Sequence, residues 1–271
     1  MARGLTLLKL GGELLEAPDQ VAALARTLAR VSRTQPLAIV HGGGREIDAA
    51  LAQAGIPKRQ VDGLRITDEP TRDIVVSVVA GAINTRFVAA LGAAGLRAVG
   101  LTGADAGIGL SRKARPFASA SGEAVDLGLV AEPSGGSPAL VLDLVRRGYV
   151  PVVACVTADR QGTLLNVNAD TLAAHLASTT NAARLVIAGR TAGVLDDNGH
   201  TIPSLDRRAA QRMIAAGTAN AGMVAKLTAC RRALARGVGE VWIVSGREPK
   251  RLAAVVAGAG APVGMGTRVI A

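Results

Sequence analysis

Short apolar runs alternate along this chain with longer stretches of helical spacing, an order that leaves an α/β sheet protein and excludes a helical bundle or a β-sandwich. Leu5 to Leu10 reads as a strand, and Pro18-Asp19 opens a helix with apolar Val21, Leu24, Leu28 and Val31 on one face. Leu37 to Val40 is the next strand, followed by a short helix over Ile47 to Ala54 and a long one over Thr67 to Leu91 with Thr67 as its cap. Val99 to Leu101 resumes the sheet, residues 103–136 read as hairpins at an edge, and Val141 to Arg147 as a helix. Val150 to Val156 and Leu164 to Val167 are further strands, with a helix over Asp170 to Ser178 behind them. A strand at Leu185 to Ala188, a hairpin over Gly193 to Ile202, helices over Arg207 to Ala216 and Ala221 to Arg236, and a strand at Val241 to Val244 complete the pattern. With 271 residues there is enough chain for one large domain or two lobes, and the boundary is expected near residue 180, giving lobes 1–180 and 181–271.

Thirty-one Lys and Arg against 21 Asp and Glu leave a net charge of +10. The basic residues are scattered singly, and Phe87, Phe117, Tyr149 and Trp242 are too few for base stacking, so a small anionic substrate accounts for the excess better than nucleic acid does. Cys155 and Cys230 have neither Cys-x-x-Cys nor His spacing, which argues against a disulfide scaffold or a zinc site. No secretory h-region is visible, and the longest apolar stretch, Ile74 to Ile83, is short for a bilayer span. A cytoplasmic protein with no membrane or nucleic-acid partner is expected.

Lys9-Leu-Gly-Gly12 puts a lysine and two glycines at a strand's C-terminal end, where parallel sheets bind ligands. His41-Gly-Gly-Gly-Arg45 repeats the arrangement before a helix, whose N-terminal amides favour an anion, although sharp turns alone also explain both glycine runs. His41 itself reads as a packing residue. Neither a Gly-x-x-x-x-Gly-Lys-Ser/Thr loop nor a Gly-x-Gly-x-x-Gly turn is present, so any phosphate is handled by dispersed glycines and lysines. Lys226, in Gly222-Met-Val-Ala-Lys, is either a solvated helix residue or such a lysine. Asn166-Val-Asn-Ala-Asp170 is either an Asx turn with Asn168 as helix cap or a polar cluster at a strand end. Arg65 is suited to grip a carboxylate or to sit in solvent.

Taken in order, Lys9-Leu-Gly-Gly12, His41-Gly-Gly-Gly44, Gly63-Leu-Arg-Ile-Thr67, Ala98-Val-Gly-Leu101, Asp126-Leu-Gly-Leu-Val130, Asn166-Val-Asn-Ala-Asp170, Gly222-Met-Val-Ala-Lys226 and Gly266-Thr-Arg268 resemble the acetylglutamate kinase branch of the amino acid kinase family. The resemblance implies an open, mainly parallel sheet sandwiched by helices, with the acyl amino acid on the N-terminal lobe and the nucleotide on the C-terminal one. It implies transfer of the γ-phosphoryl of ATP, accompanied by Mg²⁺, to the side-chain carboxylate of N-acetyl-L-glutamate in arginine biosynthesis. By the same matching Lys9, Asp170 and Lys226 are catalytic, Asp170 holding both lysines. Gly43, Gly44, Arg65, Asn166 and Asn168 bind the substrate. Gly11, Gly12, Arg190, Gly193, Gly222 and Met223 serve phosphate and nucleotide, the glycines through backbone N–H groups, and no metal ligand is assigned.

Two departures stand out. Arg190 occupies the place where the family usually carries Asp in Thr-Asp-Val-x-Gly, beside the nucleotide. The first strand begins close to Met1, without the extra helix of arginine-inhibited hexamers, so the expectation is an arginine-insensitive homodimer. The rival readings are a kinase for a related acylated acid of the aminoadipate type, separated by one methylene in a pocket, and a metabolite- or nucleotide-binding regulator with weakened catalysis.

Overall fold

The computed structural model describes residues 4–119, 122–216, 221–258 and 264–270. Its central sheet is built from Thr6–Leu10 (β1), Leu37–His41 (β2), Ala98–Thr102 (β3), Val150–Ala154 (β4), Arg184–Gly189 (β5), Ser204–Asp206 (β6), Glu240–Ser245 (β7) and Thr267–Ile270 (β8). The spatial order is β6-β8-β7-β5-β1-β2-β4-β3. Every neighbouring pair is parallel except β7 and β8. Strands from before residue 180 occupy one half of the sheet and later strands the other, and the halves meet where β1 pairs with β5, Lys9 opposite Ile187.

The helices are Pro18–Ser32 (α1), Gly44–Gln53 (α2), Glu69–Ala93 (α3), Ala139–Arg146 (α4), Ala169–Thr179 (α5), Arg207–Ala215 (α6), Ala221–Ala235 (α7) and Pro249–Ala257 (α8). Strand alternation sorts the core into two faces. Leu5 and Leu7 join one apolar cluster with Leu172, Leu176, Leu227 and Cys230 of α5 and α7. Leu8 and Leu10 join the other with Leu24 and Leu28 of α1 and Leu252 and Val255 of α8. Lys9 has the parity of Leu5 and Leu7, so the sheet itself aims it at the α5 and α7 layer.

The long helix departs from the sequence reading in three ways. Its cap is Asp68, whose carboxylate accepts a hydrogen bond from Thr71 N at 3.1 Å, and not Thr67, which is buried. Within it, Val76–Ile83 is π-helical, a widened turn that period-3.6 patterning does not reveal. It also runs for 25 residues and contains an 18-residue window of mean hydropathy 1.9, long and apolar enough by length and composition to cross a membrane, so the apolar stretch at residues 74–83 understates its reach. Val75, Val79, Ile83, Phe87 and Leu91 are its buried stripe.

The expected edge hairpins are present as antiparallel pairs, Ser111–Lys113 with Ala131–Pro133 and Phe117–Ala118 with Ala124–Val125. Between Gly193 and Ile202 the structure forms a turn closed by Asp196 N donating to His200 O at 2.8 Å, with a single bridge from Leu195 to Thr201 in place of full strands. β6, α8 and β8 are not evident from the sequence pattern: β6 and β8 are too short for alternation to stand out, and α8 follows a strand without a side-chain cap.

Candidate active site

The parallel strand ends converge on a buried charge cluster. Lys9 Nζ lies 2.9 Å from Asp170 Oδ1, and Lys226 Nζ lies 4.0 Å from Asp170 Oδ2. Asp170 is placed by the start of α5, where Asn168 caps the helix, its Oδ1 accepting from Asp170 N at 2.9 Å and Thr171 N at 3.1 Å. Lys226 is steadied from its own helix by donating to Gly222 O at 3.3 Å. The Lys9 and Asp170 side chains are only 8% and 6% exposed whereas that of Lys226 is 19% exposed, so one lysine is a fixed wall of the site and the other faces its opening.

The glycines next to this cluster make three different contributions. Gly11 N donates to Ala188 O at 2.9 Å, which corrects the expectation that its amide is free for phosphate: that group continues the β1–β5 ladder. A β-carbon on Gly12 would meet Gly43 Cα at 2.7 Å, so the two glycine turns touch backbone to backbone. Gly43 in turn lies on α3, where a β-carbon would overlap Ile83 Cδ1. Gly44 opens α2, exposed and with nothing within 4 Å of a β-carbon position, so a ligand can approach this helix N-terminus, where the dipole favours an anion. Among the described residues, Gly12, Gly43 and Gly44 N–H have no backbone partner outside helices and strands.

Arg65 is delivered by a small hairpin, Gln60–Val61 against Leu64–Arg65, whose turn residues Asp62 and Gly63 both have positive φ. Its side chain is 9% exposed and pairs with Asp48, which also accepts from Lys58 Nζ at 2.7 Å. Burial alone would raise the Asp48 carboxyl, but Lys58 and Arg65 outweigh it and hold it below the usual carboxylate range. Arg65 Nη1 is buried without a partner, a donor left for a ligand. Asn166 Nδ2 donates to Thr67 Oγ1 at 3.1 Å, and Thr67 is pinned by Thr67 N to Leu127 O at 2.8 Å and Leu129 N to Thr67 O at 2.7 Å.

Gly44, Asp48, Arg65 and Arg190 line one cavity of about 280 Å³, together with Glu13 and Arg45. Arg190 therefore stands with the residues expected to hold the acyl amino acid, because β5 ends beside β1 and directs the residues after Gly189 across the cleft. Gly193 is a packing glycine: it is buried, and a β-carbon there would meet Thr201 Cγ2 at 2.7 Å. Met223 is partly buried against the core at the start of α7, and Asn168 serves as the cap that sets Asp170.

Asp48, Thr67 and Glu13 join the site without having stood out in the sequence. Asp48 lies one helical turn beyond Gly44 and Glu13 directly follows Gly12, so spacing could have flagged both; Thr67 ends the Gly63-Leu-Arg-Ile-Thr67 motif but reads there as a helix cap. Cys155 is buried near Lys9 and Asp170 and His41 is buried against Phe87, and burial lowers the imidazole to about 4 and raises the thiol to about 11, leaving both neutral. No group of three or more Asp, Glu, His or Cys among the described residues is placed to hold a metal by itself.

Two ammonium groups sharing one buried carboxylate at the strand ends form a cationic site suited to an anion on a three-layer α/β sheet. Residues 4–245 match the amino acid kinase family, and the chain belongs to it. Its sequence is 39% identical over 253 residues to acetylglutamate kinase of Solibacter usitatus, covering 93% of this chain and 95% of that one. Against the acetylglutamate kinase of Sorangium cellulosum the identity is 42% over 259 residues, covering 93% and 90%. In fold it is similar to N-acetylglutamate synthase from Neisseria gonorrhoeae complexed with coenzyme A and N-acetyl-glutamate, with a TM-score of 0.84 at 22% identity. That alignment takes in all of this chain and 60% of the synthase chain.

Proposed function

We propose that this chain transfers the γ-phosphoryl of ATP to the side-chain carboxylate of N-acetyl-L-glutamate, giving N-acetylglutamyl 5-phosphate and ADP in arginine biosynthesis. The observation that carries the reading is Asp170 held between Lys9 and Lys226 at the strand ends, with relatives of nearly equal length that are acetylglutamate kinases.

A carboxylate acceptor is already ionised at neutral pH, so no general base is needed. One carboxylate oxygen forms the new bond to phosphorus as the bond to the bridging oxygen of ADP breaks. The obstacle is repulsion between two anions, which Lys9, Lys226 and the Gly12, Gly43 and Gly44 amides would offset. Asp170 keeps two like charges side by side, one in the buried wall and one at the opening. Arg65, through its free Nη1, and Asn166 are suited to the α-carboxylate end of the substrate. Mg²⁺ enters as the nucleotide's counter-ion and, when bound, neutralises phosphate charge. The two lobes divide the work at the β1–β5 seam, acyl amino acid on 1–180 and ATP on 181–271, with Arg190 reaching back across the seam.

A homodimer is proposed from the exposed, small-residue flank of α3 that includes Gly81, Ala82 and Ala89, and a reducing, cytoplasmic setting from two free cysteines. The kinase reading is tested by coupled ADP release with N-acetylglutamate, N-acetylaminoadipate and free glutamate in parallel. Release with N-acetylglutamate well above the other two is expected. Preference for the aminoadipate derivative would move the substrate, and ATP binding without release from any acid would make the chain a regulator.

A further inference from the structure

Among the described residues, every acid around the cleft has a cationic partner except one. Asp170 has Lys9 and Lys226, Asp48 has Lys58 and Arg65, Glu16 has Arg45, and Glu46 has Arg86. Glu13 makes no ion pair or side-chain hydrogen bond among the described residues, although it lines the cavity with Arg190 and Arg65. Its carboxylate lies across Gly11, where a β-carbon would overlap it. Glu13 Oε1 is also 3.3 Å from the β-carbon position of Gly189, a point 3.7 Å from Lys226 Cε. A carboxylate without a cationic partner thus stands at the ends of β1 and β5, near Gly189, the residue that the stem of the lysine facing the site's opening also approaches.

Left bare, that charge opposes the phosphates the rest of the site attracts. A hard divalent cation reverses the sign of the contact, and Mg²⁺ is ordinarily held by one or two carboxylates plus substrate phosphates, with waters completing the set. We propose that Glu13 is the protein's ligand for the divalent cation that accompanies the nucleotide. This rests on reading the cleft as a kinase site, and it assigns Glu13 the task of coupling nucleotide binding to metal.

The test uses ADP as the nucleotide and Mn²⁺ as a paramagnetic stand-in for Mg²⁺, with wild type, Glu13→Gln and Glu13→Asp, each checked for folding by thermal melting. Calorimetry measures ADP binding in EDTA and in excess Mg²⁺, and electron paramagnetic resonance measures Mn²⁺ binding to the protein–ADP complex. In Glu13→Gln, metal-free ADP is expected to bind at least as tightly as in wild type, while Mn²⁺ affinity of the complex falls about tenfold, as loss of one charge-assisted contact implies. Glu13→Asp keeps the charge and falls between the two; it carries the test alone if the glutamine variant does not fold. Unchanged Mn²⁺ affinity in the folded variants overturns the proposal while leaving the kinase reading intact. Wild type that binds no ADP with or without metal overturns both.

Discussion

Lys9 Nζ sits 2.9 Å from Asp170 Oδ1 with both side chains almost wholly buried, and this pair joins the central strand to the start of a helix on one face of the sheet. Breaking it has two separable effects. Lys9→Ala should lower turnover by about two decades, the usual cost of one transition-state charge contact. It should also destabilise the fold by about 3 kcal/mol, because Asp170 is left buried with only the more distant Lys226. Adding Asp170→Ala should restore much of the stability and none of the turnover, a contrast read by urea titration alongside ADP release.

Lys226 carries no such structural duty, being more exposed and 4.0 Å from the shared carboxylate. Lys226→Ala should melt within about 1 kcal/mol of wild type. Its turnover should still drop about a hundredfold with little change in the Michaelis constant for the acyl amino acid. A variant that instead kept its turnover and lost substrate affinity would place this ammonium outside the phosphoryl path.

The two glycine turns separate packing from binding. Gly12→Ala pushes a methyl into Gly43 Cα and should cost about 1–3 kcal/mol of stability. Gly44→Ala meets no atom within 4 Å, so its melting temperature should hold while activity falls, the methyl intruding on the open helix terminus. Equal melting of the two variants would contradict this packing.

Burial lowers His41 from an ordinary value of 6.5 to about 4. The unfolded chain therefore binds a proton at this site that the folded one refuses between those values, and stability falls as pH drops from about 6.5 toward 4, levelling below. The loss is at most about 3 kcal/mol. His175 is lowered too, chiefly by burial, and acts in the same direction. His41→Gln should flatten part of the acid slope of the melting temperature; a slope identical to wild type would show that the acid sensitivity arises elsewhere.

Arg65→Ala removes the free Nη1 and leaves Asp48 to Lys58 alone, so the Michaelis constant for N-acetylglutamate should rise about tenfold or more with turnover at saturation nearly kept. Steady-state kinetics over a wide range of acceptor concentration would reveal it.

Much of this molecule is legible in its residues alone. Apolar runs locate the buried strands β1, β2, β4, β5 and β7 because residues covered on both faces need no alternation. The lysines and Asp170 are legible as motifs, but their meeting depends on strand parity and on which helix covers which face, relations no local window contains. The edge strand β3 is legible from its apolar residues, whereas β6 and its neighbour β8, of three and four residues, are too short for a pattern to emerge. Arg190 is assigned to the nucleotide by its place after β5, whereas its neighbours are set by the pairing of β5 with β1, a contact between residues far apart in the chain. Gly11 and Gly193 look like ligand glycines, and only the ladder bond and the Thr201 contact reveal that each is occupied by the fold.

The seam between β1 and β5 bears on how the enzyme is made. A ribosome-bound chain that has emerged only through α5 already contains Lys9 and Asp170, yet β1 still has a bare edge where β5 belongs and Lys226 has not been translated. The site is therefore complete only once β5 has paired with β1 and α7 has been laid down, late in synthesis.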